Sequence, residues 1–217
     1  MIPQINRYYH TFPNPRDSSK EGLVAWGGDL NPNRILSAYR QGIFPWYNDS
    51  DPILWWSPDP RLVLFFDEIK ISKSLKRNLK KYEVKFDTNF EEVIKKCREI
   101  RVSNGENTWI LEDVIEQYIE IHKMGFAMSV ETYHKGELIG GLYGILMGKV
   151  FCGESMFALK RDASKVALVR LAQKLESEGY DFIDCQVPSE HLKSMGAKEV
   201  ERDEFLDMLN MGLGRCP

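Results

Sequence analysis

Cysteine is scarce in this chain: Cys97, Cys152, Cys185 and Cys216 are scattered, and no two form a C-x-x-C pair. That spacing excludes a disulfide framework and a zinc knuckle, and it fits thiols kept reduced in the cytosol. Histidine is just as sparse. His10, His122, His134 and His191 lie far apart with no H-x-x-x-H pair, so no metal site is expected. Long hydrophobic runs are missing too. The longest uncharged apolar stretch, Leu138 to Gly148, is too short to cross a bilayer and contains four glycines. The opening Met1-Ile2-Pro3-Gln4-Ile5-Asn6-Arg7 has no apolar core like that of a signal peptide. There is no internal repeat and no low-complexity tract. What is present, 217 residues with 43% apolar and 28% charged, excludes a disordered chain or a fibre. The expectation is a soluble cytoplasmic protein of one large domain or two small ones.

Net charge is only −3, which alone points to no polyanionic partner. The distribution is more informative. From Lys70 to Arg101 there are eleven Lys or Arg against five Asp or Glu, a local +6 that leaves −9 for the rest. A segregated patch of this kind attracts phosphates even on an acidic protein. Within it, Ile69 to Lys81 reads as a helix with opposed faces: Ile71, Leu75 and Leu79 on one, Lys73, Lys76, Arg77 and Lys80 on the other. An ordinary solvated face is one reading. The lack of acidic partners at i±4 favours an anion-binding face, because solubility faces normally mix signs.

The first sixty residues differ in composition from the rest. Seven of ten prolines lie between Pro13 and Pro60, and four of five tryptophans between Trp26 and Trp56. A short helix is predicted over Asn33 to Arg40, with Asn31 or Asn33 as its cap and Gly42 as its stop. Beyond it, Phe44 to Tyr47 and Pro52 to Pro60 carry too much proline for a helix or central strand, and are predicted to be ordered, aromatic-packed loops. They form either a plug against a neighbouring domain or a cleft wall for an apolar or planar ligand.

The remainder alternates in period. A strand Glu83 to Phe86 precedes a helix Asn89 to Arg101, a polar loop, Trp109, and a helix ending near Met124-Gly125. Strands Ala127 to Tyr133, Leu138 to Met147 and Val150 to Phe157 follow, then a helix Ala163 to Glu178 closed by Gly179. Strand Asp181 to Val187, helix Glu190 to Met195 and a strand near Lys198 to Arg202 complete β-β-β-α-β-α-β. That order resembles the core of the GCN5-related N-acyltransferases, a likeness of fold that says little about substrate. Members that use coenzyme A carry a glycine-bearing loop of the type Q/R-x-x-G-x-G/A before the helix, whose N–H groups cradle pyrophosphate. Here Ala158 to Ser164 has no glycine, which disfavours coenzyme A as acyl donor; the expected cofactor is none.

Several strings now stand in order: Gly27-Gly28-Asp29-Leu30, Gly42-Ile43-Phe44-Pro45-Trp46-Tyr47, Pro52 to Arg61 with its W-W-S-P-D-P-R, and Val150 to Phe157. Ala163-Ser164-Lys165, Ile183-Asp184-Cys185-Gln186, His191-Leu192 and Ser194-Met195-Gly196-Ala197 follow. Together, from about Phe12 to Arg202, they closely resemble the leucyl/phenylalanyl-tRNA–protein transferases. The resemblance implies an α+β chain: an aromatic-rich domain over 1–62, an acyltransferase-like domain over 63–217, and the donor site between them. It implies transfer of Leu or Phe, sometimes Met, from aminoacyl-tRNA to the N-terminal Arg or Lys of a protein, marking it for degradation. No membrane or metal is involved.

It also assigns residues. Gln186 accepts a hydrogen bond from the attacking amine, and Asp184 holds or polarises that arrangement; whether Asp184 also takes a proton stays open. Two-residue alternation puts Phe182, Asp184 and Gln186 on one face of their strand and Ile183, Cys185 and Val187 on the other, so a solvated face is the competing reading. The aminoacyl pocket is implied to be Leu142, Phe151, Met156, Leu168, Leu171, Leu175 and Ile183, with Leu142, Leu171 and Leu175 departing from the bulkier Met or Phe of the family pattern. Trp46 and Trp109 lie nearer the tRNA 3′ adenosine, and Lys73, Lys76, Arg77 and Lys80 meet the tRNA backbone. Glu154 is a carboxylate in an apolar strand: a structural ion-pair partner, a contact for the cationic acceptor, or part of the pocket. The alternatives to this function are a coenzyme A-dependent N-acetyltransferase and a non-catalytic module that binds tRNA or degradation signals.

Overall fold

The computed structural model describes residues 2–8, 11–105 and 107–214; His10 and Cys216 lie outside them. In chain order the first elements are β1 (Gln4–Ile5), β2 (Leu23–Gly27), α1 (Pro32–Arg40), β3 (Phe44–Pro45) and β4 (Leu54–Trp56). Next come β5 (Arg61–Phe65), α2 (Lys73–Lys81), β6 (Glu83–Phe86), α3 (Phe90–Ser103) and α4 (Glu112–Lys123). The chain then forms β7 (Ala127–His134), β8 (Glu137–Met147), β9 (Val150–Ala158), α5 (Ala163–Ser177) and β10 (Phe182–Gln186). It ends with α6 (Glu190–Ser194), β11 (Lys198–Val200) and α7 (Arg202–Leu213). The class is the expected α+β.

Two sheets organise these elements. The smaller has the order β1-β2-β4-β3, and the larger β11-β5-β10-β9-β8-β7-β6. In the larger sheet β9 and β10 run parallel, and the other neighbours run antiparallel. Apolar layers cover both of its faces. One is built from α2 and α5, the other from α1, α3, α4 and α7, so the sheet is a shared wall between two halves of the core.

The aromatic stretches near residue 50 depart from the loop prediction. Phe44 pairs with Trp56 and Pro45 with Trp55, and Trp55 is fully buried. The tripeptide Leu54-Trp55-Trp56 itself contains no proline, so its ladder donors are intact. Pro45 sits on the edge strand, where a missing N–H leaves no gap in the sheet. α1 forms as its signals predict: the Asn31 side chain accepts from the Asn33 N–H at 3.0 Å, and Pro32 opens the first turn. Gly42 (φ +72°) ends the segment, and a Cβ there would lie 2.4 Å from Leu206 Cδ2.

α2 starts four residues later than the periodicity predicts. The Ser72 hydroxyl caps it by accepting from the Leu75 N–H, and Ile71 packs on the core from outside the helix. Four elements go unread in the sequence. These are β1; β2; β5, whose Leu62, Val63 and Leu64 are wholly buried; and α7, which buries Phe205, Leu206 and Leu209. The division expected after residue 62 falls inside β5.

Candidate active site

Two strand irregularities make the site. In β9, Tyr143 of β8 pairs with Ser155 but Gly144 pairs with Gly153, so Glu154 is the extra residue of a bulge. This explains a carboxylate in an apolar strand, because bulges re-aim single side chains and recur beside functional sites. In β10 the register against β5 shifts between Asp184 and Gln186, and Gln186 has φ +65°. The parallel β9–β10 ladder ends at the pair Cys152–Asp184, while β9 runs on to Ala158. Where the pairing stops, a cavity of about 520 Å³ opens, lined by Gly153, Glu154, Cys185 and Gln186 among others.

Most of the expected pocket residues meet there. Leu142, Phe151, Met156, Leu168 and Ile183 line the cavity together with Glu154, and Trp46 and Trp109 also face it. Trp46 is 46% exposed, as suits a rim residue. Leu171 and Leu175 do not line it. Both are buried on α5 in the core between that helix and the sheet, because they lie roughly one and two turns beyond Leu168. Phe44, Tyr143, Ser164 and His191 also line the cavity, and sequence reasoning missed them. The motif strings that contain Phe44, Ser164 and His191 were the available signal.

Asp184 is fully buried, which removes the solvated-face reading. Its two oxygens accept from Arg61 at 2.8 and 2.7 Å, and Oδ1 also accepts the Gln186 backbone N–H at 2.9 Å. The Gln186 Nε2 donates to Glu154 Oε1 at 2.8 Å, which leaves the amide oxygen of a cavity-lining residue without a hydrogen bond among the described residues. Glu154 also receives the hydroxyls of Tyr39 and Tyr118. Burial pushes its pKa up to about 7, with the Tyr39, Gln186 and Tyr118 hydrogen bonds acting in the opposite direction. Burial likewise holds both tyrosines well above their ordinary range, so they remain donors.

Cys185 also faces the cavity, but burial raises its thiol, and a protonated thiol is a poor nucleophile. His191 is held below its ordinary value, first by burial and then by Lys165. Among the described residues no group of three His, Cys, Asp or Glu is placed to hold a metal ion, and no helix is long and apolar enough to cross a membrane.

α2 lies apart from the cavity and packs on α5, where Asn78 Nδ2 donates to Asp162 and Arg170 donates to the Leu79 carbonyl. Lys73, Lys76, Arg77 and Lys80 are exposed. By contrast Lys95, Lys96 and Arg98 of α3 are paired with Glu91, Glu99 and Glu112. Only part of the basic segment is therefore left to meet an external anion.

Residues 63–210 match the family model for leucyl/phenylalanyl-tRNA protein transferase, and residues 28–59 match the model for the N-terminal domain of the same enzyme. A leucyl/phenylalanyl-tRNA–protein transferase of Sulfurimonas denitrificans is 55% identical over 97% of this chain and 92% of its own. That of Syntrophobacter fumaroxidans is 54% identical over 91% of this chain and 86% of its own. Among solved structures, an aminoglycoside acetyltransferase from an uncultured soil metagenomic sample aligns with 53% of this chain and 84% of its own, at a TM-score of 0.41 and 8% identity. Matching family models along most of its length, and more than half identical to these two transferases over the aligned residues, the chain belongs to the leucyl/phenylalanyl-tRNA protein transferase family.

Proposed function

We propose that this protein transfers Leu or Phe, and also Met, from aminoacyl-tRNA to the N-terminal Arg or Lys of acceptor proteins, which marks them for degradation. The work is cytoplasmic and needs no cofactor. The observation that carries this reading is the Gln186 amide: its nitrogen is held by Glu154, and its oxygen is free in a cavity with an apolar wall. The apolar wall receives the amino acid side chain, and Trp46 and Trp109 offer flat surfaces for the terminal adenosine. The site then lies where the aromatic-rich part, 1–62, meets the acyltransferase-like part, 63–217.

The chemistry asks little of the protein. The amine nitrogen attacks the ester carbonyl carbon, the bond to the ribose oxygen breaks, and that oxygen takes a proton as the amine loses one. An α-amino group with a pKa of about 7.7–8.0 is partly neutral near pH 7 without a strong base. Alignment by one hydrogen-bond acceptor and an apolar slot can supply much of the acceleration. The basic face of α2 holds the tRNA backbone.

The deciding experiment offers the protein Leu-tRNA, acetyl-CoA and an Arg-initiated peptide together, with the product read by mass spectrometry. A leucyl peptide supports the reading. An acetyl peptide would assign a coenzyme A-dependent enzyme, and an unmodified peptide a non-catalytic module.

A further inference from the structure

Arg61 is the first residue of β5, the strand beside β10, and its side chain is 1% exposed. Its guanidinium lies between two rings, 4.8 Å from the Phe44 centroid and 4.4 Å from that of Phe205. Nε and Nη2 engage both oxygens of Asp184, and Nη1 donates to the Gly42 carbonyl at 3.1 Å. A bidentate pair with both partners out of water has one geometry and little freedom to leave it.

Asp184 passes that rigidity on. Its Oδ1 accepts the backbone N–H of Gln186. Gln186 sits at φ +65°, a left-handed conformation that costs a residue with a Cβ about 1 kcal/mol or more and persists only where its surroundings impose it. The Gln186 side chain then holds Glu154. On the opposite flank, Gly42 follows three residues after Tyr39, the other short contact to Glu154 Oε1. One guanidinium therefore ties together both contacts to Glu154 Oε1. Asp184, meanwhile, is fully buried and is not among the residues that line the cavity.

We propose that Arg61 is a positioning residue for the transfer reaction: it holds Asp184 in place to fix the Gln186 backbone, so that Asp184 neither touches substrate nor serves as the base. This rests on the cavity being the transfer site. Transfer by the unaltered protein tests that reading separately, since its absence would overturn the site and not the positioning.

The test compares Arg61→Lys, Asp184→Asn and the double variant Arg61→Gln/Asp184→Asn with the parent, each normalised to folded protein by circular dichroism. The double variant guards against misfolding, because it replaces the buried ion pair with a neutral hydrogen-bonded one and leaves no lone buried charge. Arg61→Lys keeps the charge but loses the fork, and is expected to lower kcat by roughly 10–100-fold with KM for Leu-tRNA unchanged, as for a displaced reacting group. Asp184→Asn and the double variant are expected to keep every limb of the parent's pH–rate profile. Loss of a limb in Asp184→Asn, with a fall of the ~10²–10⁴-fold that general acid–base catalysis supplies, would overturn the proposal. So would Arg61→Lys with the parent's kcat, which would leave Arg61 a purely structural role.

Discussion

Tyr39 of α1 and Tyr118 of α4 meet hydroxyl to hydroxyl at 2.8 Å over the carboxylate of Glu154. Tyr39 reaches Oε1 at 2.6 Å and Tyr118 reaches Oε2 at 3.3 Å. Two hydroxyl protons thus serve three contacts. Burial favours the neutral acid, and the hydroxyls that donate to Glu154 act against it.

A pH dependence follows, and its sign can be worked out. Glu154 is raised in the folded protein from an ordinary 4.5 to about 7. Its contribution to stability is complete below about pH 4.5 and is lost as pH climbs through about 7. Urea unfolding at a series of pH values should show stability falling across that window, and Glu154→Gln should flatten the fall. Tyr39→Phe removes a hydrogen bond that favours the ionised form, so it should move the midpoint upward. A downward shift would show that the hydroxyl does not donate to Glu154.

Gln186→Ala should lower turnover while leaving aminoacyl-tRNA binding nearly intact, because the role proposed for it is on the attacking amine. Asp184→Ala should do the same by releasing the Gln186 backbone. The double variant should then lose less than the sum of the two, as expected of residues that act as a unit. Rapid-quench turnover alongside equilibrium binding of Leu-tRNA checks all three, and full activity in both single variants would remove the assignment.

Donor preference should be graded. The wall formed by Leu142, Phe151, Met156, Leu168 and Ile183 selects by shape, and one methylene in such a pocket discriminates by about 1–3 kcal/mol. Leu, Phe and Met should be accepted, and β-branched Ile and Val transferred more slowly, in kcat/KM measured across a set of charged tRNAs. Equal transfer of Asp or Lys would place the amino acid elsewhere.

The exposed cations of α2 share one face, so they can follow a single run of phosphates. Phosphate contacts set affinity without reading sequence. Neutralising two of Lys73, Lys76, Arg77 and Lys80 should weaken all leucine isoacceptors alike. It should also flatten log K against log salt by roughly 0.7–0.9 for each phosphate no longer neutralised. Aminoacyl-adenosine, which has no acceptor stem, should be used at the parent rate. An unchanged salt slope would make this an ordinary solvated face.

Local signals carried much of the architecture. β6 has the predicted bounds, and α1, α3 and the strands from β7 to β10 fall within a few residues of theirs, because periodicity and caps depend on neighbours along the chain. β5 shows where that kind of reading stops. A short apolar run directly after Arg61 is what a strand buried on both faces looks like, yet nothing nearby says that its place is beside β10. α7 was legible, with Phe205, Leu206 and Leu209 at helical spacing, but it lies beyond the last motif string and was not predicted.

The sequence by itself determined the residue types of the site and their family, since motif strings survive without coordinates. Only the tertiary structure decided which of those residues meet. Leu171 and Leu175 share a helix face with Leu168 but lie in the core, because one and two turns of rise along α5 carry them past the cavity. Glu154 and Gln186 come together across 32 positions because two bulges turn them toward the gap between β9 and β10. Arg61 gained its role in the same way, since a charge 123 positions from its partner has no local signature. Such pairings depend on strand register, and register is set by the packing of the whole sheet.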